Sequence, residues 1–294
     1  MDEETRLTVV RQAFAQHLSF LTGIDDPRVE AAFASVPREN FLGSGPWLTV
    51  LWPRTRSGEY VATPSADPIY VYTDCIFALL AERHINNGSP SLHARLISSA
   101  AIAEGDHVVH VGPGTGYFTA IMAHLAGPSG NVTAIELEPA LAERARENLA
   151  SFPNVRVIQG DGSTVPFDPA DVIYVNAGAT RAADAWLDGL NDGGRLILPL
   201  TTHKGFMNNN PPDPIEKRGA VFRIERRGKE YLARWISPVA IIPCEGARDP
   251  VSEGALATAL RHGGWERVTR VYRHEEVPEE RCWLRVSGWA LAYD

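Results

Sequence analysis

Three alternating glycines are the first feature of this sequence that could do chemistry. Gly112, Gly114 and Gly116 follow the apolar segment His107–Val111, within the sequence HVVHVGPGTGYFTA. Glycine has no Cβ, so such a loop can turn sharply and bring its backbone close to a ligand. Open α/β sheets bind ligands at the carboxyl ends of their strands, where this loop is expected. The pattern predicts a ligand-binding loop, although a tight turn without a ligand has the same pattern.

Two acidic positions further along the chain point to adenosine as the ligand. Glu136 ends the next predicted strand, twenty residues after Gly116, where a carboxylate can accept hydrogen bonds from both ribose hydroxyls. Asp161 and Gly162 follow the third predicted strand, where an aspartate can accept from an exocyclic amine. Either acid alone could be an ordinary surface residue. Both of them at strand ends beside the loop predict an adenosine pocket.

A nicotinamide dinucleotide is the competing ligand, because its fingerprint also combines a strand, a glycine loop and an acid. That fingerprint has the spacing G-x-G-x-x-G, whereas the spacing here is G-x-G-x-G and the next residue is the bulky Tyr117. The pair Asp161–Gly162 also has no role in the dinucleotide fingerprint. We therefore predict an adenosine-containing cofactor without a pyrophosphate, which favours methyl transfer from S-adenosylmethionine over hydride transfer, and expect Tyr117 to lie near it.

The elements that must position these residues alternate regularly after Gly105. Strands are predicted at His107–Val111, Asn131–Glu136, Val155–Ile158, Asp171–Val175 and Arg195–Leu198, with helices at Tyr117–Ala126, Pro139–Ser151 and Ala182–Leu190. Short apolar strands separated by helices predict parallel βαβ units and a doubly wound α/β sheet. Asn176 directly follows the fourth of these strands and is included among the candidate cofactor-binding residues.

The flanking regions have different patterns. Helices are predicted over Glu4–Leu21, Pro27–Val36 and Ser89–Ala101, and loops over Gly43–Pro68 and Thr201–Asp213. Beyond the loops, we predict a hairpin of Ala220–Glu225 with Tyr231–Pro243, a helix over Val251–Arg261, and strands over Arg267–Tyr272 and Cys282–Tyr293. The predicted division is a helical and substrate-loop region (1–85), a cofactor-binding domain (86–245) and a C-terminal α+β extension (246–294).

Composition excludes several classes of protein. The net charge of −8 and the pI of about 5.6 argue against binding to nucleic acid, which needs a basic face. The three cysteines are widely spaced, which argues against a disulfide framework or a zinc site, and the histidines show no metal-binding spacing. The acidic N-terminus does not resemble a signal peptide, and no apolar run is long enough for a membrane span. These features predict a cytoplasmic protein without a metal site.

Five segments resemble one family of methyltransferases. VGPGTGYFTA (111–120), TAIELEPALAERAR (133–146), GDGS (160–163), DVIYV (171–175) and GGRLILPL (193–200) are similar, in order and approximate spacing, to segments of the protein-L-isoaspartate O-methyltransferase family. The likeness extends more faintly to VPRENF (36–41) and YTD (72–74), and covers about Phe33–Gly246.

The resemblance implies a fold, a cofactor and a reaction. The fold would be a Rossmann-like, seven-stranded methyltransferase sheet with one reversed strand. S-adenosylmethionine would bind through Gly112, Gly114, Gly116, Glu136, Leu137, Asp161 and Gly162, and would leave as S-adenosylhomocysteine. The acceptor would be a carboxylate of a peptide or protein, with isoaspartate as the default.

One position departs from the family pattern. The family usually carries T-I-S-x-P before the first sheet strand, with a hydroxyl at the methyl-transfer position, whereas this chain reads NNGSP over 86–90. Aligned on the proline, the hydroxyl position is Gly88. Ser89 is the displaced candidate catalytic residue, although it could instead be the N-cap of the next helix.

Methyl transfer to a carboxylate requires little of the protein beyond positioning the acceptor. A carboxylate with a pKa of about 4 is ionised near neutral pH, so no general base is needed. Holding the oxygen in line with the methyl group and excluding water are then sufficient. Three alternatives stay open: a pathway-specific peptide acceptor, a small-molecule acceptor, and a cofactor-binding module without catalysis.

Other side chains are weaker candidates. His93 could face the cleft, although an exposed helix position is the simpler interpretation. The stretch Trp47–Trp52 could line an acceptor pocket, although such residues more often lie in the core. Arg226, Arg227 and Lys229 could hold an acidic peptide, although a solvated hairpin turn is the commoner role.

Overall fold

A computed structural model describes residues 2–51, 59–202 and 214–294. The chain forms two compact units. The first unit consists of Met1–Asp106 and Pro113–Gln159, and the second of His107–Gly112 and Gly160–Asp294. The three-part division predicted from the sequence stays a prediction. Trp52 and nearly all of the predicted loop over 201–213 lie outside the described residues.

The helices and strands follow in chain order. The α-helices are α1 (Glu3–Thr22), α2 (Pro27–Ser35), α3 (Pro90–Ala100), α4 (Tyr117–Ala126), α5 (Pro139–Asn148), α6 (Asp184–Asp188) and α7 (Pro250–His262). The strands are β1 (Leu48–Thr49), β2 (Val61–Ala62), β3 (Ala78–Leu80), β4 (Ile85–Asn86), β5 (His107–Val111), β6 (Asn131–Glu136), β7 (Val155–Gln159), β8 (Ala170–Val175), β9 (Leu190–Thr201), β10 (Gly219–Arg227), β11 (Glu230–Pro238), β12 (Arg270–Arg273), β13 (Cys282–Val286) and β14 (Trp289–Ala292).

The first unit holds the N-terminal helices and one parallel strand pair. Asp2 and Asp26 cap α1 and α2 by accepting backbone N–H groups of Thr5 and Arg28, which satisfies donors that the first helical turn leaves unpaired. Gly23 ends α1 in a left-handed conformation. Strand β6 pairs in parallel with β7, while β1 pairs with β2 and β3 with β4 as short antiparallel ladders.

The second unit contains strands in the order β13-β14-β12-β11-β10-β9-β8-β5. Strands β5, β8 and β9 run parallel, and every pairing from β9 to β13 is antiparallel. The predicted count of seven strands with one reversed is not confirmed. The reason is that the C-terminal α+β extension continues the same sheet, since Tyr231 and Leu232 of β11 pair with Val271 and Arg270 of β12.

Most predicted element bounds agree with the structure to within a few residues, and β5, β6 and α4 agree at both ends. Strand β9 is longer than predicted because its pairing with β10 continues to Thr201 and its pairing with β8 begins at Leu190. The single strand predicted over Cys282–Tyr293 was wrong: the chain turns there at Gly288, which has φ of +70°, and forms β13 and β14. Helix α5 ends three residues earlier than predicted, at Asn148.

Strand β5 lies in the core of the second unit, where parallel strands are covered on both faces. Val108, Val109, His110 and Val111 are all buried. Burial lowers the pKa of His110 to about 3, so its imidazole is neutral and packs edge-on against Tyr174. His110 is therefore a structural residue of the core.

Three further sequence expectations concern cysteines, metals and membranes. Cys75, Cys244 and Cys282 are free thiols. Among the described ranges, no group of three or more His, Cys, Asp or Glu side chains is placed to hold a metal ion. None of the helices in the described part of the chain is both long enough and apolar enough to cross a membrane.

Candidate functional site

The glycine loop adopts a backbone conformation that favours glycine. Gly112, Gly114 and Gly116 have φ values of +75°, +59° and +96°, in the left-handed region where other residues are strained. A Cβ on Gly116 would lie 2.7 Å from Leu149 Cδ1, and one on Gly114 would lie 3.0 Å from Leu79 Cδ1. Both conformation and packing therefore require glycine in a loop that exposes backbone rather than side chains.

Glu136 is a buried carboxylate held by the loop backbone. It ends β6, is 7% exposed, and its Oε2 accepts the N–H of Gly114 at 2.8 Å. Its Oε1 accepts the N–H of Glu138 at 3.0 Å. Desolvation raises the pKa of Glu136, an effect that the two N–H donors oppose. Each oxygen keeps a lone pair for a further donor, which is the capacity that two ribose hydroxyls require.

Leu137 and Tyr117 differ in how much of their side chains is accessible. Leu137, directly after Glu136, is 39% exposed and offers apolar surface beside that carboxylate. Tyr117 is only 2% exposed and packs among the rings of Phe33, Phe41 and Phe118. The Tyr117 ring therefore belongs to the core of the first unit, and only its backbone lies at the start of α4, directly after Gly116.

In the second unit, Asp161 and Gly162 are fixed by close packing. Asp161 Oδ1 accepts both the N–H and the hydroxyl of Ser163 at 2.8 Å. A Cβ on Gly162 would lie 2.5 Å from Val111 Cγ1, so this backbone approaches β5 as closely as glycine allows. A Cβ on Gly246 would overlap the Asp161 carboxylate. Gly246 is a supporting residue that sequence reasoning missed, because its partner is 85 residues away in the chain.

Asn176 positions the beginning of the glycine loop. Its side-chain amide donates to the carbonyl of Gly112 at 3.0 Å, and its backbone N–H donates to the carbonyl of Val111 at 2.8 Å. The structure thus brings Asn176 together with Gly112 in the second unit, as it brings Glu136 together with Gly114 in the first. Asn176 donates to the loop backbone rather than presenting a free amide.

A segment that the sequence did not single out lies over the glycine loop. Leu79 of β3 contacts Gly114, and its carbonyl accepts a long hydrogen bond from Arg144 at 3.5 Å. Arg83 forms an ion pair with Glu138, two residues after Glu136. The 78–83 segment therefore covers the loop and the Glu136 end of β6 within the first unit. No local sequence pattern marks this segment, because the residues that it contacts are far away from it in the sequence.

The position that departs from the family pattern is closed to a side chain. Gly88 has φ of +76°, and a Cβ there would lie 2.7 Å from His93 Cδ2. His93 is fully buried and stacks on Phe118, with ring centroids 3.7 Å apart. The exposed position expected for His93 was therefore wrong, because α3 turns this residue into the core. Its ring occupies the space that a side chain at position 88 would need.

Ser89 lies at the N-cap position of α3, but its side chain makes no cap hydrogen bond. Its hydroxyl donates to Asp74 Oδ1 at 2.9 Å, and the same oxygen accepts the N–H of Ser91 at 2.8 Å. Asp74 therefore caps α3 from a distant part of the chain. The N-cap alternative for Ser89 is thus not what its hydroxyl does, and the catalytic role stays a prediction.

Arg38, from the VPRENF segment, holds the stretch that contains Asp74. Its buried guanidinium donates to the carbonyls of Val71, Thr73 and Cys75 at 2.7–2.8 Å. Burial lowers the pKa of Arg38 to about 10, so the group is still charged near neutral pH. Three charge-assisted hydrogen bonds compensate for this burial and fix residues 71–75 beside α3.

Two weaker sequence candidates prove to be structural. Trp47 is buried, and its indole N–H donates to the carbonyl of Gly43 at 2.9 Å. In the β10–β11 hairpin, Arg226 donates to the carbonyls of Leu190 and Gly228, while Arg227 pairs with Glu225. Arg226 and Arg227 are therefore already occupied by groups of their own chain.

Comparisons with known proteins agree with these features. A family model described as "Protein-L-isoaspartate(D-aspartate) O-methyltransferase (PCMT)" matches residues 53–220, more than half of the chain. The protein-L-isoaspartate O-methyltransferase of Ignicoccus hospitalis is 36% identical over 159 residues, which are 53% of this chain and 70% of that protein. Protein-L-isoaspartate O-methyltransferase 1 of Archaeoglobus fulgidus is 37% identical over 210 residues, which are 70% of this chain and 83% of that protein.

Solved structures match the fold. A protein-L-isoaspartate O-methyltransferase structure superposes with a TM-score of 0.62 at 26% identity, over 81% of this chain and 66% of that one. A Plasmodium falciparum structure, described as a putative member of the same family in complex with S-adenosyl-L-homocysteine, gives 0.57 at 18% identity over 80% of this chain and 98% of that one. The predicted Rossmann-like α/β class is thereby confirmed.

Proposed function

This chain belongs to the protein-L-isoaspartate O-methyltransferase family, and from that premise we propose that it transfers a methyl group from S-adenosylmethionine to a carboxylate of an isoaspartyl residue in a peptide or protein. The observation that best supports the proposal is the buried Glu136 carboxylate held by the glycine loop. The two carboxylate oxygens of Glu136 suit the two hydroxyls of a nucleoside ribose. We also propose the cytoplasm as its location, on the grounds given by the sequence.

Each unit contributes residues of the kinds that this cofactor would need. Glu136 would accept the ribose hydroxyls, and Leu137 would cover the adenine. Asp161 would accept a hydrogen bond from the adenine amine, with the Gly162 backbone beside it. The loop of Gly112, Gly114 and Gly116 would face the rest of the cofactor with its backbone. Asn176 would act by fixing the loop, and Tyr117 by anchoring the start of α4. When bound, S-adenosylmethionine supplies an electrophilic methyl group on its sulfonium.

The protein's own part in the reaction would be to orient the acceptor and exclude water. An isoaspartyl carboxylate is ionised near neutral pH, so no side chain has to remove a proton. Ser89 is the proposed hydroxyl nearest the family's methyl-transfer position, and its proton is directed at Asp74. Asp74 would therefore act as a positioning residue, because it fixes the Ser89 hydroxyl, which could receive a hydrogen bond from the acceptor or its surroundings through its oxygen.

Methylation of matched peptides tests the proposal. One peptide carries isoaspartate and the other carries aspartate at the same place, and both are incubated with enzyme and deuterated-methyl S-adenosylmethionine. We expect label on the isoaspartyl peptide alone, by mass spectrometry, and a much lower rate with Glu136→Gln. Cofactor binding without label on either peptide would contradict the proposed acceptor.

One observation favours a second acceptor class. Gly88 and His93 close the position where the family carries a hydroxyl. An acceptor that approaches differently, such as one particular peptide or a small carboxylic acid, would suit this change. Label incorporated from a cell extract into one component other than isoaspartyl peptides would favour this alternative, and binding without any turnover would favour a non-catalytic module.

A further inference from the structure

Two adjoining cavities lie in the second unit and share Arg248 and Asp249. The smaller, of about 270 Å³, reaches Ser163 and Thr164, which directly follow Asp161 and Gly162. The larger, of about 630 Å³, extends along α7 to Arg261 and across to Lys217. Together they form one groove, here called the Arg248 groove, that begins beside the Asp161 motif.

Arg248 forms the fixed centre of the groove. Its guanidinium donates to the carbonyl of Gly178 at 2.6 Å and pairs with Glu253 at 2.9 Å. Asp249 is also occupied, because it caps α7 by accepting the N–H groups of Val251 and Ser252. The acidic side chains that line the larger cavity therefore already have partners of their own.

Two cations at the far end of the groove are not neutralised. Lys217 and Arg261 are exposed, and neither forms an ion pair with a carboxylate of residues 2–51, 59–202 or 214–294. Arg261 has only the hydroxyl of Thr258 as a side-chain partner among these residues. In a chain of net charge −8, this is a local excess of positive charge at the mouth of a cavity.

Small residues line the α7 side of the groove. Gly254 and Ala257 lie on one face of α7, and a Cβ added to Gly254 would meet no atom within 4 Å. The carboxylates of Asp249 and Glu253 within the lining oppose a continuous polyanion such as RNA. Isolated carboxylates on a peptide can instead meet the two cations individually.

We infer that the Arg248 groove binds an acidic segment of the peptide or protein that this enzyme methylates. The inference rests on the proposed function for the identity of the substrate. Its residues Arg248, Glu253 and Arg261 lie beyond the matched family region of 53–220, so the groove would be a recognition element added by the C-terminal extension. It would select among carboxylate-bearing substrates without taking part in methyl transfer.

Two isoaspartyl peptides test the inference, identical except for two separated residues near the isoaspartate, which are Glu in one peptide and Gln in the other. Wild type should show a KM about tenfold lower for the Glu peptide at low salt, with equal kcat and a difference that shrinks as salt is added. The variant Lys217→Glu with Arg261→Glu should lose this preference. Arg156→Glu with Lys229→Glu makes the same change in net charge at two exposed cations elsewhere and should keep it.

The other possible results either overturn the inference or separate it from the proposed function. Equal KM values for the two peptides in wild type, or a preference retained in the groove variant, would overturn the inference. If wild type methylates neither peptide, the proposed function fails, and fluorescence anisotropy of the labelled Glu peptide still tests the groove by binding alone. Tighter binding of an RNA oligonucleotide, lost in the groove variant, would replace the peptide by a nucleic acid.

Discussion

Replacing Gly88 with serine should destabilise this protein, even though serine is what the family usually carries near this position. The expected cost has two parts. Serine in the left-handed conformation at φ of +76° costs about 1–2 kcal/mol. A Cβ 2.7 Å from His93 Cδ2 forces the buried ring off Phe118, and such overpacking costs about 1–3 kcal/mol more. The free energy of unfolding should therefore fall by about 2–5 kcal/mol.

Two further variants separate these parts by urea denaturation. Gly23 has a similar φ of +65° and no atom within 4 Å of an added Cβ, so Gly23→Ser should cost only the backbone part, about 1–2 kcal/mol. In a His93→Ala background the ring is gone, so Gly88→Ser should again cost only about 1–2 kcal/mol. The double-mutant cycle then reports the clash as a coupling energy of about 1–3 kcal/mol.

Two results would contradict the predicted clash between a side chain at position 88 and His93. If Gly88→Ser costs no more than Gly23→Ser, the ring of His93 does not occupy the space beside Gly88. If the cost is large but unchanged in the His93→Ala background, the strain arises from another neighbour. In either case the ring of His93 would not explain why a hydroxyl is missing at position 88.

Three further predictions concern the cofactor site and its support. Gly246→Ala should push Asp161 from Ser163 and weaken S-adenosylhomocysteine binding about tenfold or more in calorimetry, whereas Gly254→Ala, in open space, should bind like wild type; equal affinities would exclude this role for Gly246. Glu136→Gln should weaken the same binding about 10–100-fold. Because burial raises the pKa of Glu136, wild-type affinity should be present at neutral pH and fall on acidification before an ordinary glutamate would titrate, and the variant should lack this dependence. The stability of the unliganded protein should depend on pH in the opposite direction. Because the pKa of Glu136 is raised in the folded state, the free energy of unfolding should decrease as the pH rises through that pKa. Arg38→Met should lower the free energy of unfolding by about 3–5 kcal/mol in urea, since three carbonyls lose their donor, and a cost below 1 kcal/mol would contradict it.

Much of the cofactor side could be predicted because it depends on local order along the chain. A short apolar run, a glycine loop and an acid at the next strand end placed β5, the loop and Glu136 correctly, and the contact of Glu136 with Gly114 joins residues on consecutive elements. Leu79, Arg83 and Gly246 could not be found this way. Each acts through a partner that is far away in sequence, and no residue pattern records such a contact.

Contacts between residues that are far apart in the sequence also explain the errors about His93 and about the number of strands. His93 has a polar side chain in a helix that begins after a loop, and an exposed position was the natural expectation. Its burial follows from Phe118 on α4, a contact that only the fold creates. Likewise, the strand count that the resemblance implied did not include the C-terminal extension, whereas backbone pairing between β11 and β12 joins that extension to the same sheet.

Buried residues determine which hydroxyl is available in the region before α3. His93 occupies the space beside Gly88, so the nearest hydroxyl is that of Ser89, and Asp74 fixes it while also capping the helix. Asp74 in turn is held in place because Arg38 binds the carbonyls on either side of it. The hydroxyl of Ser89 is thus positioned by Asp74, and Asp74 is positioned by the buried Arg38. Selection among acceptors would then depend on groups outside this region, and the cations of the Arg248 groove are suited to that task.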